Sequence, residues 1–161
     1  MNRYFARALL TLCLLTGVGG VTAMAQIDSD VTVEANIPHA FVVKDTTLPA
    51  GKYTIKVLNK TNPNLLQLRS ANGHKAVLIE TQDVHAERTP RQTEMVFDRV
   101  GNRYFLSKVW VSGSDSGAKV EESKMEQRLV ADGRAAKHYS VVAHNKSSKR
   151  LKHEKMTNHG A

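Results

Sequence analysis

One cysteine occurs in these 161 residues, and Cys13 lies where it is not expected to survive. It sits within Ala8–Val21 (ALLTLCLLTGVGGV), behind Arg3 and Arg7 and ahead of Ala23-Met24-Ala25, the small-x-small pattern cut by signal peptidase. This apolar run is shorter than the roughly 20 residues a membrane span needs, and glycines interrupt it. Residues 1–25 therefore read as a secretory signal, and the mature chain from Gln26 is expected in the periplasm or outside the cell. Leu10-Thr11-Leu12 lacks the small residue that precedes a lipoprotein cysteine, so no lipid anchor is expected either. Without a thiol the mature chain has no disulfide, and its core alone must hold it together. Its length suits one domain.

Other absences exclude other chemistry. The sequence has no phosphate-binding glycine loop, no dinucleotide fingerprint and no calcium loop. Neither H-x-H nor H-x-x-x-H occurs. His138 and His144 share one face of a strand but stand roughly 20 Å apart at about 3.3 Å per residue. No metal site is expected, and no cofactor. Strands do not alternate with helices, and no internal repeat is present. Asn59-Lys60-Thr61 and Asn145-Lys146-Ser147 fit the glycosylation acceptor pattern, but the bacterial-type signal argues against their use.

Charge is present but uneven. From Gln26 to Gly133 there are 14 Lys/Arg and 14 Asp/Glu; from Arg134 onward there are seven Lys/Arg against Glu154 alone. The high pI of about 9.7 thus belongs to the C-terminal end. Residues 145–161 read as a basic disordered tail. Lys146, Lys149, Arg150, Lys152 and Lys155 are its candidate contacts to an anionic cell-envelope polymer or to lipid head groups. No aromatic residues interleave them, so sequence-specific reading of nucleic acid is not expected.

The body, 26–144, alternates with period two. Val31, Val33, Ala35 and Ile37 fall on one face of a first strand, and Ala40–Val43 begins a short second one. In Leu48-Pro-Ala-Gly-Lys-Tyr-Thr-Ile, Pro49 and Gly51 suit a turn that opens a strand with Tyr53, Ile55 and Val57 inward. Asn72-Gly73 predicts a two-residue type I′ hairpin pairing Leu68 with Val77 and Leu66 with Ile79. Gly101-Asn102 predicts a second, pairing Phe97 with Leu106, Arg99 with Tyr104, and Thr93 with Trp110. Its other face carries Val96, Phe105, Val109 and Val111, so these strands are expected to be central or covered. Ser112–Lys119 reads as a flexible loop. Ser123-Lys-Met-Glu126 is a capping box opening a helix over about 124–131, packed through Met125 and Leu129 and stopped at Gly133. Tyr139, Val141 and Ala143 predict a closing strand. The sum is about eight strands and one helix in an all-β fold. An antiparallel β-sandwich is the first expectation, and a small closed barrel the alternative.

The segments VEANIPHAFVV, LPAGKYTI, LLQLRSANG, VFDRVGNRYFLSKVW and EESKMEQRLV together resemble a family of small exported bacterial all-β proteins of unassigned function, over about residues 31–131. The resemblance implies a bacterial source and an all-β domain, and hands over no catalytic residue. Separately, LPAGKYTI is similar to the strand-opening motif of transthyretin-like and carboxypeptidase-regulatory sandwiches.

Two stretches touch catalytic chemistry. Asp115-Ser116-Gly117 is similar to the nucleophile loop of chymotrypsin-like proteases, but Ala118 replaces the second glycine and a Ser/Gly/Asp linker explains it. Asp83 and His85 alternate on one strand and could pair as acid and base. The leading functional expectation is a binding or scaffolding module of the cell envelope without enzymatic activity. The alternatives are a lipocalin-like barrel around an apolar ligand and a hydrolase using Asp83 and His85.

Overall fold

The period-two pattern becomes the wall of a barrel in the computed structural model, which describes residues 31–147. Ten strands and one helix follow in the order β1 (Val31–Ile37), β2 (Phe41–Val43), β3 (Thr46–Leu48), β4 (Gly51–Asn59), β5 (Asn62–Ser70), β6 (Ala76–His85), β7 (Glu94–Val100), β8 (Arg103–Trp110), β9 (Ser116–Val120), α1 (Lys124–Ala131) and β10 (Ala136–Ser147). Eight of the strands run β8-β7-β10-β1-β4-β5-β6-β9, and β9 pairs back onto β8. The sheet therefore closes on itself, and the barrel, not the two-sheet sandwich, is the architecture formed. Closure pairs both edges of each of these eight strands, where a sandwich would leave some exposed. The short β2–β3 hairpin extends the upper part of β8 through a parallel Val42–Phe105 pairing.

Inward positions fill the barrel. Val33, Ala35 and Ile37 of β1, Tyr53, Ile55 and Val57 of β4, Leu66 and Leu68 of β5, and Ile79 of β6 are buried in one cluster with Phe97, Leu106 and Val141. Phe41 meets Tyr53 and Phe97 edge-on, with centroids 5.1 and 5.5 Å apart. The Tyr53 hydroxyl donates to the Pro49 carbonyl at 2.8 Å, which ties down the corner that opens β4. The outward positions of β1, β4, β5 and β6 are mostly polar, among them Glu34, Lys52, Lys56, Arg69 and Glu80, with Leu58 and Leu78 as exposed apolar exceptions. An apolar interior with a mostly charged and polar outer wall is the reverse of the pattern of a lipid-facing barrel. Among the described residues no helix is long and apolar enough to cross a membrane.

Several sequence expectations need correcting in detail. The register around Asn72-Gly73 is as expected, with Leu66 opposite Ile79 and Leu68 opposite Val77. The turn, however, is not type I′. Gly73 alone has positive φ, and its N–H donates to the Ser70 carbonyl at 2.9 Å. Asn72 acts through its side chain, accepting from the Ser70 hydroxyl at 2.6 Å and the His74 N–H at 3.1 Å.

In the second hairpin a bulge between Val96 and Phe97 leaves Ser107 unpaired, so Glu94 and not Thr93 faces Trp110. The extra residue flips the parity of β8. Val109 and Val111 enter the core and Trp110 turns outward. The segment read as a loop contains β9, whose Gly117 lies under the Trp110 ring. Small residues with little strand propensity are held there by pairing on both sides. Finally, β10 runs to Ser147 and takes in the first three residues of the expected tail, because Val33, Thr32 and Val31 pair with Asn145, Lys146 and Ser147. The expected signal segment and Lys149, Arg150, Lys152 and Lys155 lie outside the described residues.

Candidate functional site

The capping box forms as read: the Ser123 hydroxyl accepts the Glu126 N–H at 3.0 Å and starts α1. What lies beneath it is unexpected. Met125 is exposed, with its sulfur accepting from Arg103, and the buried residue of the helix is Glu126, 5% exposed. Leu129 packs on Val42, Val100 and Phe105, the outward cluster of β2, β7 and β8. This covers the doubly apolar strands, as their sequence required. Positions 126 and 129 lie one turn apart on the same helix face. That spacing was the available signal for the burial of Glu126, and the capping role obscured it.

The Glu126 carboxyl borders a cleft of about 200 Å³ between α1 and the barrel wall, lined also by Asp98, Ser107, Lys108, Lys119, Glu122 and His138. Asp98 Oδ1 lies 2.5 Å from His138 Nδ1. Burial pushes the Glu126 carboxyl up to about 7; Asp98 and Glu122 push the same way, and the Ser123 backbone N–H opposes them. A carboxyl that is half neutral near pH 7 can donate a proton, or can link a conformational equilibrium to pH. Among the described residues no cluster of three or more His, Cys, Asp or Glu is arranged to hold a metal.

The upper end of the barrel holds a second cluster that the sequence did not reveal. His39 stacks on Tyr104 at 3.5 Å and meets Phe97 and Tyr139 edge-on. Its Nε2 is buried without a hydrogen-bond partner. Burial, and then the Arg99 charge, lower its pKa, so the ring is held neutral.

Asp83 and His85 lie near the end of β6 with exposed side chains. His85 Nδ1 faces the Ser116 hydroxyl at 3.2 Å rather than Asp83. The two stretches weighed separately in the sequence thus meet across the β6–β9 pairing. Ser116 is 1% exposed, and the neighbouring Asp115 carboxylate touches the serine rather than the imidazole. A nucleophile needs access, and a triad needs its carboxylate on the imidazole. The contact anchors β9. His138 and His144 remain apart, with His138 at Asp98 and His144 opposite Glu34.

Lys146, the first of the basic residues, donates to Glu34 Oε1 at 2.8 Å. It stands opposite Thr32, which on its other side faces Lys56. Lys52, Lys56, Arg69 and Lys146 thus share the outer face of β10-β1-β4-β5, with Glu34 among them and Glu80 and Glu94 on the flanking strands. An open cleft of about 360 Å³ lies in this face between Lys52, Val142 and His144.

No protein-family model, curated protein or solved structure matches this chain. Roles therefore rest on the geometry of its own residues.

Proposed function

We propose that the chain is an exported binding or scaffolding module that contacts an anionic cell-envelope polymer through its outer surface. Its small-bacterial-protein resemblance and its signal-like N-terminus belong to the same proposal. The observation that carries it is the cationic row Lys52, Lys56, Arg69 and Lys146 on one outer face. That face lies at the end of the strand from which the chain continues to Lys149, Arg150, Lys152 and Lys155. Inside the barrel the buried side chains are apolar, and the charged groups lie on the outside. Clustered lysines and arginines act by counterion release, so affinity falls steeply with salt and shows little selectivity of sequence.

The test is salt elution from a heparin column. Full-length protein, a chain ending at Ser147 and the triple variant Lys52→Glu/Lys56→Glu/Arg69→Glu would be compared. Each change is expected to lower the eluting salt concentration. Unchanged elution in both variants overturns the proposal.

A lipocalin-like calyx for an apolar ligand is the second reading, favoured by the closed eight-stranded barrel with a helix before its last strand. It requires an interior cavity, whereas Phe41, Tyr53, Phe97 and Met95 are fully buried there. Saturable one-to-one binding of a fluorescent fatty acid would favour it.

A further inference from the structure

Helix α1 is fastened to the barrel wall by very little. Of its eight residues only Glu126 is buried and only Leu129 packs on an apolar cluster, while Met125 and Val130 are exposed. So short a helix has no stability of its own and exists because it is docked. Beside the Leu129 packing and the Arg103–Met125 contact, its remaining fastener is a carboxyl group that costs most to bury when charged.

We propose that α1 is a proton-controlled clasp: with the Glu126 carboxyl neutral the helix lies closed on the barrel, and ionisation of that carboxyl opens it. The surroundings act in both directions. Asp98 on β7 and Glu122 in the turn before the helix repel a charge on Glu126. His138 on β10 sits on Asp98, and Lys108 on β8 and Lys119 on β9 line the same cleft and favour the charge. Lys124 and Arg128 belong to the helix itself. Burial and the two carboxyls outweigh the Ser123 backbone N–H, which favours the charge, and the folded carboxyl is pushed up to about 7 from an ordinary value of 4.5.

The sign follows from linkage. A carboxyl whose pKa is raised on docking holds an extra proton in the closed form between these two values. Closure is therefore fully favoured below pH 4.5, weakens as pH rises to 7, and stays at its weakest above that. Opening would uncover Val42, Val100 and Phe105, which are buried in the closed form. The barrel itself closes through β8–β9 pairing and does not depend on the helix.

Hydrogen exchange of the Gln127–Ala131 amides, corrected for intrinsic rates, tests the clasp in the full chain. Protection is expected to fall on the order of a hundredfold between pH 4.5 and 8. The inward strands should stay protected, and the emission of Trp110 should stay constant. In Glu126→Gln, which keeps the shape and removes the charge, protection should stay high at both pH values. In Asp98→Asn the midpoint should move down. Equal helix protection at both pH values in the natural chain overturns the proposal. So does a Glu126→Gln helix that still loosens with pH.

Discussion

Trp110 lies flat on Gly117 across the seam that closes the barrel: a Cβ at Gly117 would stand 2.3 Å from Cε3 of the indole. The ring supplies the packing that a side chain on β9 would otherwise give. The glycine is required by this close approach, because its backbone is not in the left-handed region. Gly117→Ala should therefore lift the indole from the wall. A loss of about 1–3 kcal/mol is expected in denaturant unfolding, together with a red-shifted emission from the chain's one tryptophan. An unchanged midpoint and spectrum would mean that the indole does not rest there.

The two faces of β5 should respond differently to truncation. Leu68 is 1% exposed inside the barrel and its neighbour Gln67 lies on the outer wall. Leu68→Ala should cost about 2–5 kcal/mol. Gln67→Ala should stay within about 0.5 kcal/mol. Equal large losses in urea titrations would show that the outer wall is covered as well.

The C-terminal end should divide sharply at Ser147. Deleting residues 148–161 is expected to leave the melting temperature nearly unchanged. Deleting from Asn145 removes its bond from the Thr93 hydroxyl and the Lys146–Glu34 ion pair. It also removes the last strand pairings with Val31–Val33. Each buried hydrogen bond contributes about 0.5–1.5 kcal/mol, so the shorter chain should melt several degrees lower. Thermal melts of the two truncations decide it.

Two groups should pull stability in opposite directions on the acid side. His39 has a lowered pKa in the fold, so its contribution is present above its ordinary value of 6.5 and is lost as pH falls below it. Glu126 has a raised pKa, so its burial weakens the fold as pH rises from 4.5 to about 7. His39→Phe should therefore flatten the acid limb of a stability profile, and Glu126→Gln the neutral one. Profiles that keep both limbs in both variants would show that other groups titrate.

Local features of the fold were legible. The register of Leu66 against Ile79 follows from alternation on both strands, and Ser123 with Glu126 marked the helix start to within a residue. Features fixed by distant partners were not. The bulge that turns Trp110 outward did leave a trace, since an unbulged register puts Lys108 inward beside Leu106, but apolar residues on both faces of β8 masked it. Ser116-Gly117-Ala118 looks like a linker because its strand is imposed by β6, β8 and the indole above it. The choice between barrel and sandwich depended on those same pairings. At the candidate site the capping pattern marked Ser123 as the cap and placed Glu126 in the first turn, but the wall of Asp98 and His138 beneath it comes from strands far away in sequence.

The last strand pairs with β1 on one side and β7 on the other, from Val31–Ser147 at one end to Ala136–Val100 at the other. A chain delivered N-terminus first thus carries two unmatched edges until almost all of its described length has emerged. The hairpins β4–β5, β5–β6 and β7–β8 can form early, since their contacts are local. The ring itself cannot close, and completion waits on contacts of the longest sequence separation. During that interval β1 and β7 are open templates for another chain. A holding factor that recognises exposed strand edges would find those of β1 and β7 before the arrival of residues 136–147 and not after it.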